Sequence, residues 1–120
     1  MRRDLLFGTS VEESVAAGTT SGAGNAIDTQ GKYAAKHIIT CDAYTSDVVV
    51  KLQESDSSGS GYTDVADANM IGGSNGITFT AVNQCKQIGG FGLKRYQRVN
   101  IDSGTGTISG SCETADNLGS

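Results

Sequence analysis

The sequence contains no proline and no tryptophan, a single histidine, and three cysteines that share no C-x-x-C spacing. Each scarcity removes a class of function. Any Ser–His or Cys–His nucleophile scheme must run through His37, which stands beside Ile38 and Ile39, and no G-x-S-x-G elbow occurs in the chain. His37 is therefore expected to be a surface or partly buried strand residue. Cys41, Cys85 and Cys112 are odd in number, which argues against a closed disulfide framework. Beyond the three cysteines a zinc site would need at least one more ligand, and the only histidine is His37, so the cysteines read as small buried hydrophobes. Aromatics make up only 6% of the chain and hydrophobics 37%, so the core must be thin. No apolar run approaches the ~18 residues that span a bilayer. The apolar stretch at Leu5, Leu6 and Phe7 also falls short of the roughly 7–15 residues of a secretory signal. The expectation is a chain made and used in a cytoplasm, with no membrane partner. Lysine and arginine number 9 against 13 acidic residues, are scattered, and leave a net charge of −4. A dedicated nucleic-acid binder would instead show a basic stripe.

What the chain does have is glycine, 17 residues in 120, together with abundant Ser and Thr. Glycine on that scale disfavours long helices, each internal one costing about 1 kcal/mol relative to Ala. The length suits one domain. Strand alternation is clearest at 47–54, where Val48, Val50 and Leu52 fall on one face and Lys51 and Gln53 on the other. The Ser/Gly-rich turn 55–61 and a short return at 62–65 complete a hairpin. Further strands are expected at 33–41, 77–81, 85–88, 94–101 and 107–112. About seven short strands at this spacing predict an all-β fold, a single antiparallel β-sandwich of Ig-like or jelly-roll-like type. Residues 1–32 read as an N-terminal arm or weakly structured first strand, 33–113 as the sandwich domain, and 114–120 as a polar tail.

Asp56, Asp64 and Asp67 flank a Ser/Gly loop of the sort that can hold calcium, but the acidic spacing of an EF-hand is missing, and a solvated hairpin loop fits better. The glycines of Ile88-Gly-Gly-Phe-Gly-Leu93 have no following G-K-[ST] and no helix start, so a backbone bend is expected rather than a phosphate cradle. No catalytic constellation, metal site or cofactor site emerges, and a non-enzymatic protein is expected. Tyr96 and Arg98 should share the face opposite Val99 and Ile101, where they could serve a protein contact. The alternative is intradomain, with Tyr96 covering the sheet and Arg98 paired to a neighbouring carboxylate. With Leu5, Leu6, Phe7, Val11 and Val15 of the arm, they form the candidate interface set.

Two stretches carry a resemblance. Val50-Lys-Leu-Gln-Glu-Ser-Asp56 with Tyr62-Thr-Asp-Val-Ala-Asp67, and Ile88-Gly-Gly-Phe-Gly-Leu-Lys-Arg-Tyr-Gln-Arg-Val-Asn-Ile101, resemble small tailed-phage and prophage virion proteins often encoded near the major capsid protein. The resemblance spans roughly residues 28–112. Ser58 and Gln97 depart from it. Gln97 stands where an apolar residue is usual, which suggests that its strand lies at a sheet edge. The resemblance implies a structural virion protein made in a host bacterium, most simply a capsid decoration (cement) protein that stabilises the head from outside. Its implied partners are the major capsid protein and neighbouring copies of itself, with the arm gaining order against a neighbour. A head–tail connector, a tail component or a glycan-binding module remain alternatives.

Overall fold

The computed structural model describes residues 9–29, 32–91 and 94–116. These form ten strands: β1 (Thr9–Thr19), β2 (Gly22–Ala23), β3 (Ile27–Asp28), β4 (Lys32–Tyr44), β5 (Val48–Ser55), β6 (Thr63–Asp64), β7 (Ile77–Phe79), β8 (Cys85–Phe91), β9 (Tyr96–Ser103) and β10 (Gly106–Asp116). One 3-10 turn, Asp67–Asn69, interrupts the β6–β7 connection. The strands make a four-stranded sheet in the order β1-β10-β4-β8 and a six-stranded sheet built on β2-β9-β5-β6, in which β3 also pairs with β9 and β7 with β5. Every pairing is antiparallel. The expected antiparallel β-sandwich is the observed fold. No helix among the described residues is long and apolar enough to cross a membrane.

The core lies between the sheets. Ile39 and Cys41 of β4, Ile88 of β8, Ile108 of β10 and Val15 of β1 meet Val48, Val50, Leu52, Phe79 and Val99 of the other sheet. Phe79 is the largest fully buried side chain among the described residues, so aliphatic groups supply most of the apolar burial, each worth roughly 1.5–3 kcal/mol. At one end two turns interlock. Thr45 and Ser46 donate backbone N–H bonds to Thr105 O, and Thr105 N–H returns one to Ser46 Oγ. Gly104 makes this possible with a φ of +100° and a backbone pressed so close to Asp47 that a Cβ would overlap its carbonyl.

The N-terminal division expected at residue 32 is not where the sandwich begins. Thr9–Thr19 pairs with β10 along its length, and Ile27 is wholly buried. A register shift between Glu13 and Val15 inserts Ser14, so Ser14 and Val15 both face the interior. That bulge erases the period-2 signal by which a strand is read. At the other end β10 carries Thr114–Asp116 into the sheet, and residues 117–120 lie outside the described part. The bend expected at Gly89-Gly90 is also corrected: both glycines lie inside β8 and are buried. A Cβ on Gly89 would strike the Ala35 carbonyl of β4, and the Met70–Ile71 loop bridges to this stretch through a bond from Ile71 N–H to Gly89 O. Gln97 does not mark an edge either, since β9 runs between β5 and the short β2 and β3.

One residue holds the ragged side of β5 together. Between the segments paired with β7 and β6, Asn75 accepts a bond from Leu52 N–H through Oδ1 at 2.9 Å, and donates through Nδ2 to Leu52 O at 3.0 Å and Val65 O at 2.9 Å. A side-chain amide thus replaces a missing strand. Asn75→Ala should lower the unfolding free energy in urea by about 2–3 kcal/mol, because it strands Leu52 N–H and Val65 O, while Leu52 O keeps its bond from Val65 N–H. A loss below half a kcal/mol would show that water takes over those bonds.

Candidate functional site

The candidate interface residues do not come together on one surface. Leu5, Leu6 and Phe7 lie outside the described residues. Val11 is on the outer face of the four-stranded sheet and 66% exposed, beside Glu113 in register. Val15 is 2% exposed and belongs to the core, so it is removed from the interface set. Tyr96 and Arg98 are half-buried on the outer face of the six-stranded sheet, with Gln97 and Val99 inward as strand alternation requires.

On that six-stranded face Asp64, Gln53 and Arg98 stand in one row across β6, β5 and β9. Arg98 Nε donates to Gln53 Oε1 at 2.9 Å, and Gln53 Nε2 donates to Asp64 Oδ1 at 3.2 Å. The guanidinium lies 3.9 Å from the Tyr62 ring centroid, a cation–π contact worth about 0.5–1 kcal/mol at a wet site. Burial pushes the Tyr62 hydroxyl's pKa up, while Arg98 pulls it down. Nearby, Arg95 sits 5.0 Å from the Tyr96 ring centroid and forks onto Asp28 with bonds of 3.0 and 2.9 Å. Lys51 approaches Asp102 at 4.0 Å. Arg98 has no carboxylate partner among the described residues, so the sequence-based alternative of a carboxylate pair is replaced by an amide and a ring.

The opposite outer face is different in kind. Down the middle of the four-stranded sheet run Ser109, Gly110 and Ser111 of β10, and these small residues leave a depression of about 430 Å³ beside Ile38 and Thr40, with Glu13 on its rim. The Glu13 carboxylate accepts from Asn25 Nδ2 at 3.1 Å. Lys36 and Glu113 pair at 3.5 Å farther along the face. Among the acidic residues of the hairpin loop, Asp64 is bonded to Gln53, and Asp67 accepts from Asn75 N–H at 2.9 Å. No group of three or more potential metal ligands forms among the described residues.

Inside the sandwich is a polar cluster that sequence reasoning missed. His37 is 0% exposed rather than at or near the surface. Its Nδ1 lies 2.6 Å from Ser14 Oγ and its Nε2 lies 3.6 Å from Cys112 Sγ. A neutral imidazole donates through one nitrogen and accepts through the other, so one partner accepts and the other donates. Burial drops the His37 pKa to about 4, against a smaller opposing pull from Gln97. Gln97 is itself buried, and its Oε1 makes no hydrogen bond of ordinary geometry, so its influence on the ring is polar rather than a formed bond. The Cys112 thiol is pushed up to about 12, mainly by burial, which leaves it protonated and unreactive. Ser14 and His37 have the spacing of a nucleophile and its base, but both are sealed from any substrate. Cys41 is buried as expected, whereas Cys85 is exposed. The signal for the cluster was the pairing of His37 with Cys112 in adjacent strands, which only the register reveals.

The fold is similar to that of the SPBc2 prophage-derived protein YomS, with a TM-score of 0.62 and 12% sequence identity over 90% of this chain and 93% of that one. At that identity the likeness bears on the fold alone. No family model and no curated protein matches the chain.

The cluster gives a pH signature. The folded state holds His37 at a pKa of about 4 against 6.5 for the free side chain. The unfolded chain therefore binds more protons between these values, and stability falls as pH drops through that window. The contribution is complete above about pH 6.5 and amounts to at most roughly 3 kcal/mol. Urea unfolding at pH 7 and pH 4 should show a steeper loss in the wild type than in His37→Gln, whose amide does not titrate. Equal slopes would mean that His37 is hydrated in solution.

Proposed function

We propose that the chain is a non-enzymatic structural protein of a tailed-phage virion, and within the virion a decoration protein on the outside of the head. The observation that carries the reading is the sandwich shared over 90% of the chain with a prophage-derived protein. It is supported by the virion-like stretches quoted above, which fall on β5, β6 and the β8–β9 region. The titratable cluster is closed to substrate, and the outer faces are broad and polar, which suits adhesion better than turnover. Many copies on one shell gain avidity, so each contact can be weak. That removes the need for a large aromatic interface. A glycan platform is less well served, because the Tyr62 and Tyr96 rings already carry stacked arginines.

The test is electron microscopy of the virion together with binding of purified protein to heads assembled without it. Density on capsid faces and saturable binding are expected. Density confined to the connector or tail would overturn the decoration role while leaving a virion role intact. Any truncation that probes the N-terminal segment must stop at residue 8, since residues 9–25 contain β1. Removal of residues 1–8, which spares β1, should weaken head binding; undiminished binding would dismiss the segment's part.

A further inference from the structure

Arg98 on one outer face and Glu13 on the other each lack an oppositely charged partner among the described residues, and we propose that copies of this chain join head to tail. The Tyr62–Arg98 stack on the six-stranded sheet of one copy would seat at the depression beside Glu13 on the four-stranded sheet of the next. The inference deepens the reading above by naming the surfaces through which copies meet.

Three observations carry it. First, Lys36, Lys51 and Arg95 each have a carboxylate partner, whereas Arg98 has none among the described residues. Its guanidinium is held by Gln53 on one side and the Tyr62 ring below, so little freedom remains to be lost on binding. Second, Glu13 has no cationic partner among the described residues, and Asn25 fixes its carboxylate at the rim of the depression. An arginine fork and a carboxylate fixed in advance form the strongest kind of side-chain pair. Third, the stack is flanked by an ordered loop, and the other face offers a hollow to receive it. The 56–62 loop folds back over Ser55, whose hydroxyl donates to Ser60 O, and Tyr62 is anchored on its flank by a bond to Ser58 O. The opposite face is hollowed where β10 presents Ser109, Gly110 and Ser111.

Because the matching surfaces lie on opposite sides of one sandwich, the contact is heterologous. Repeated, it closes into a ring or runs on as a file according to the rotation per step. A contact of this kind is weakened by salt.

The experiment uses the full chain without heads, so its outcome is independent of where the protein sits on the virion. Sedimentation and light scattering should show self-association that weakens with added salt. Arg98→Glu and Glu13→Arg should each weaken it by at least about tenfold through like-charge contact. Both changes are on outer faces, and circular dichroism verifies the fold. An equimolar mixture of the two single variants should reassociate, because each restores the pair the other lacks, and the double variant should do so alone. A monomeric wild type would overturn the proposal, as would unchanged association of Arg98→Glu or a mixture that stays apart.

Discussion

Strand β10 hydrogen-bonds on both sides, to β4 from Tyr44 back to Lys32 and to β1 from Thr19 back to Thr9. It is made from residues 106–116, while its outer neighbour comes from the other end of the described chain. Among the described residues β1 has its strand partner only in that late segment. Its sequence, with glycine at 18, two alanines and two glutamates, has weak propensity of its own. The four-stranded sheet is thus a long-range structure whose formation waits on loop closure, the condition under which β folds form slowly.

That dependence explains what could be read from the sequence. β5 was legible because Val48, Val50 and Leu52 alternate with Val49, Lys51 and Gln53, and a strand buried on one face needs no other signal. The outward placement of Tyr96 and Arg98 followed from the same rule. β1 was illegible because the bulge at Ser14 breaks alternation where the strand enters the core, and because its pairing partner lies almost a hundred residues away. The glycines at 89 and 90 misled for a related reason. Both lie inside β8, and Gly89 serves close approach to the Ala35 backbone rather than a turn. Arg98 could be placed on its face, but its partners could not be named, since Gln53 and Tyr62 reach it only through the β5–β6 fold.

The buried imidazole fits the same frame. A thin core of mid-sized aliphatic residues distinguishes poorly between registers, since Val or Ile can exchange places at little cost. A slip of β1 by one residue would withdraw Ser14 from His37, and a slip of β10 would withdraw Cys112. Either leaves a ring nitrogen unbonded in a dry interior, at a cost of about 1–3 kcal/mol. The cluster need not add net stability to be selective, because it penalises the alternatives more than it rewards the native pairing.

Interior register then decides what the exterior presents. With Ser14 and Val15 both turned inward, Glu13 faces outward at the edge of the β10 hollow. With Gln97 drawn in beside the imidazole, Arg98 is left on the opposite outer face. A polar residue at position 97 has a physical reason here, because it adds a polar neighbour to a buried histidine otherwise served by Ser14 and Cys112. The acidic and basic features of the two faces are therefore consequences of one internal alignment. A change at Ser14 or Gln97 would reach the surface by moving a charge rather than by removing one.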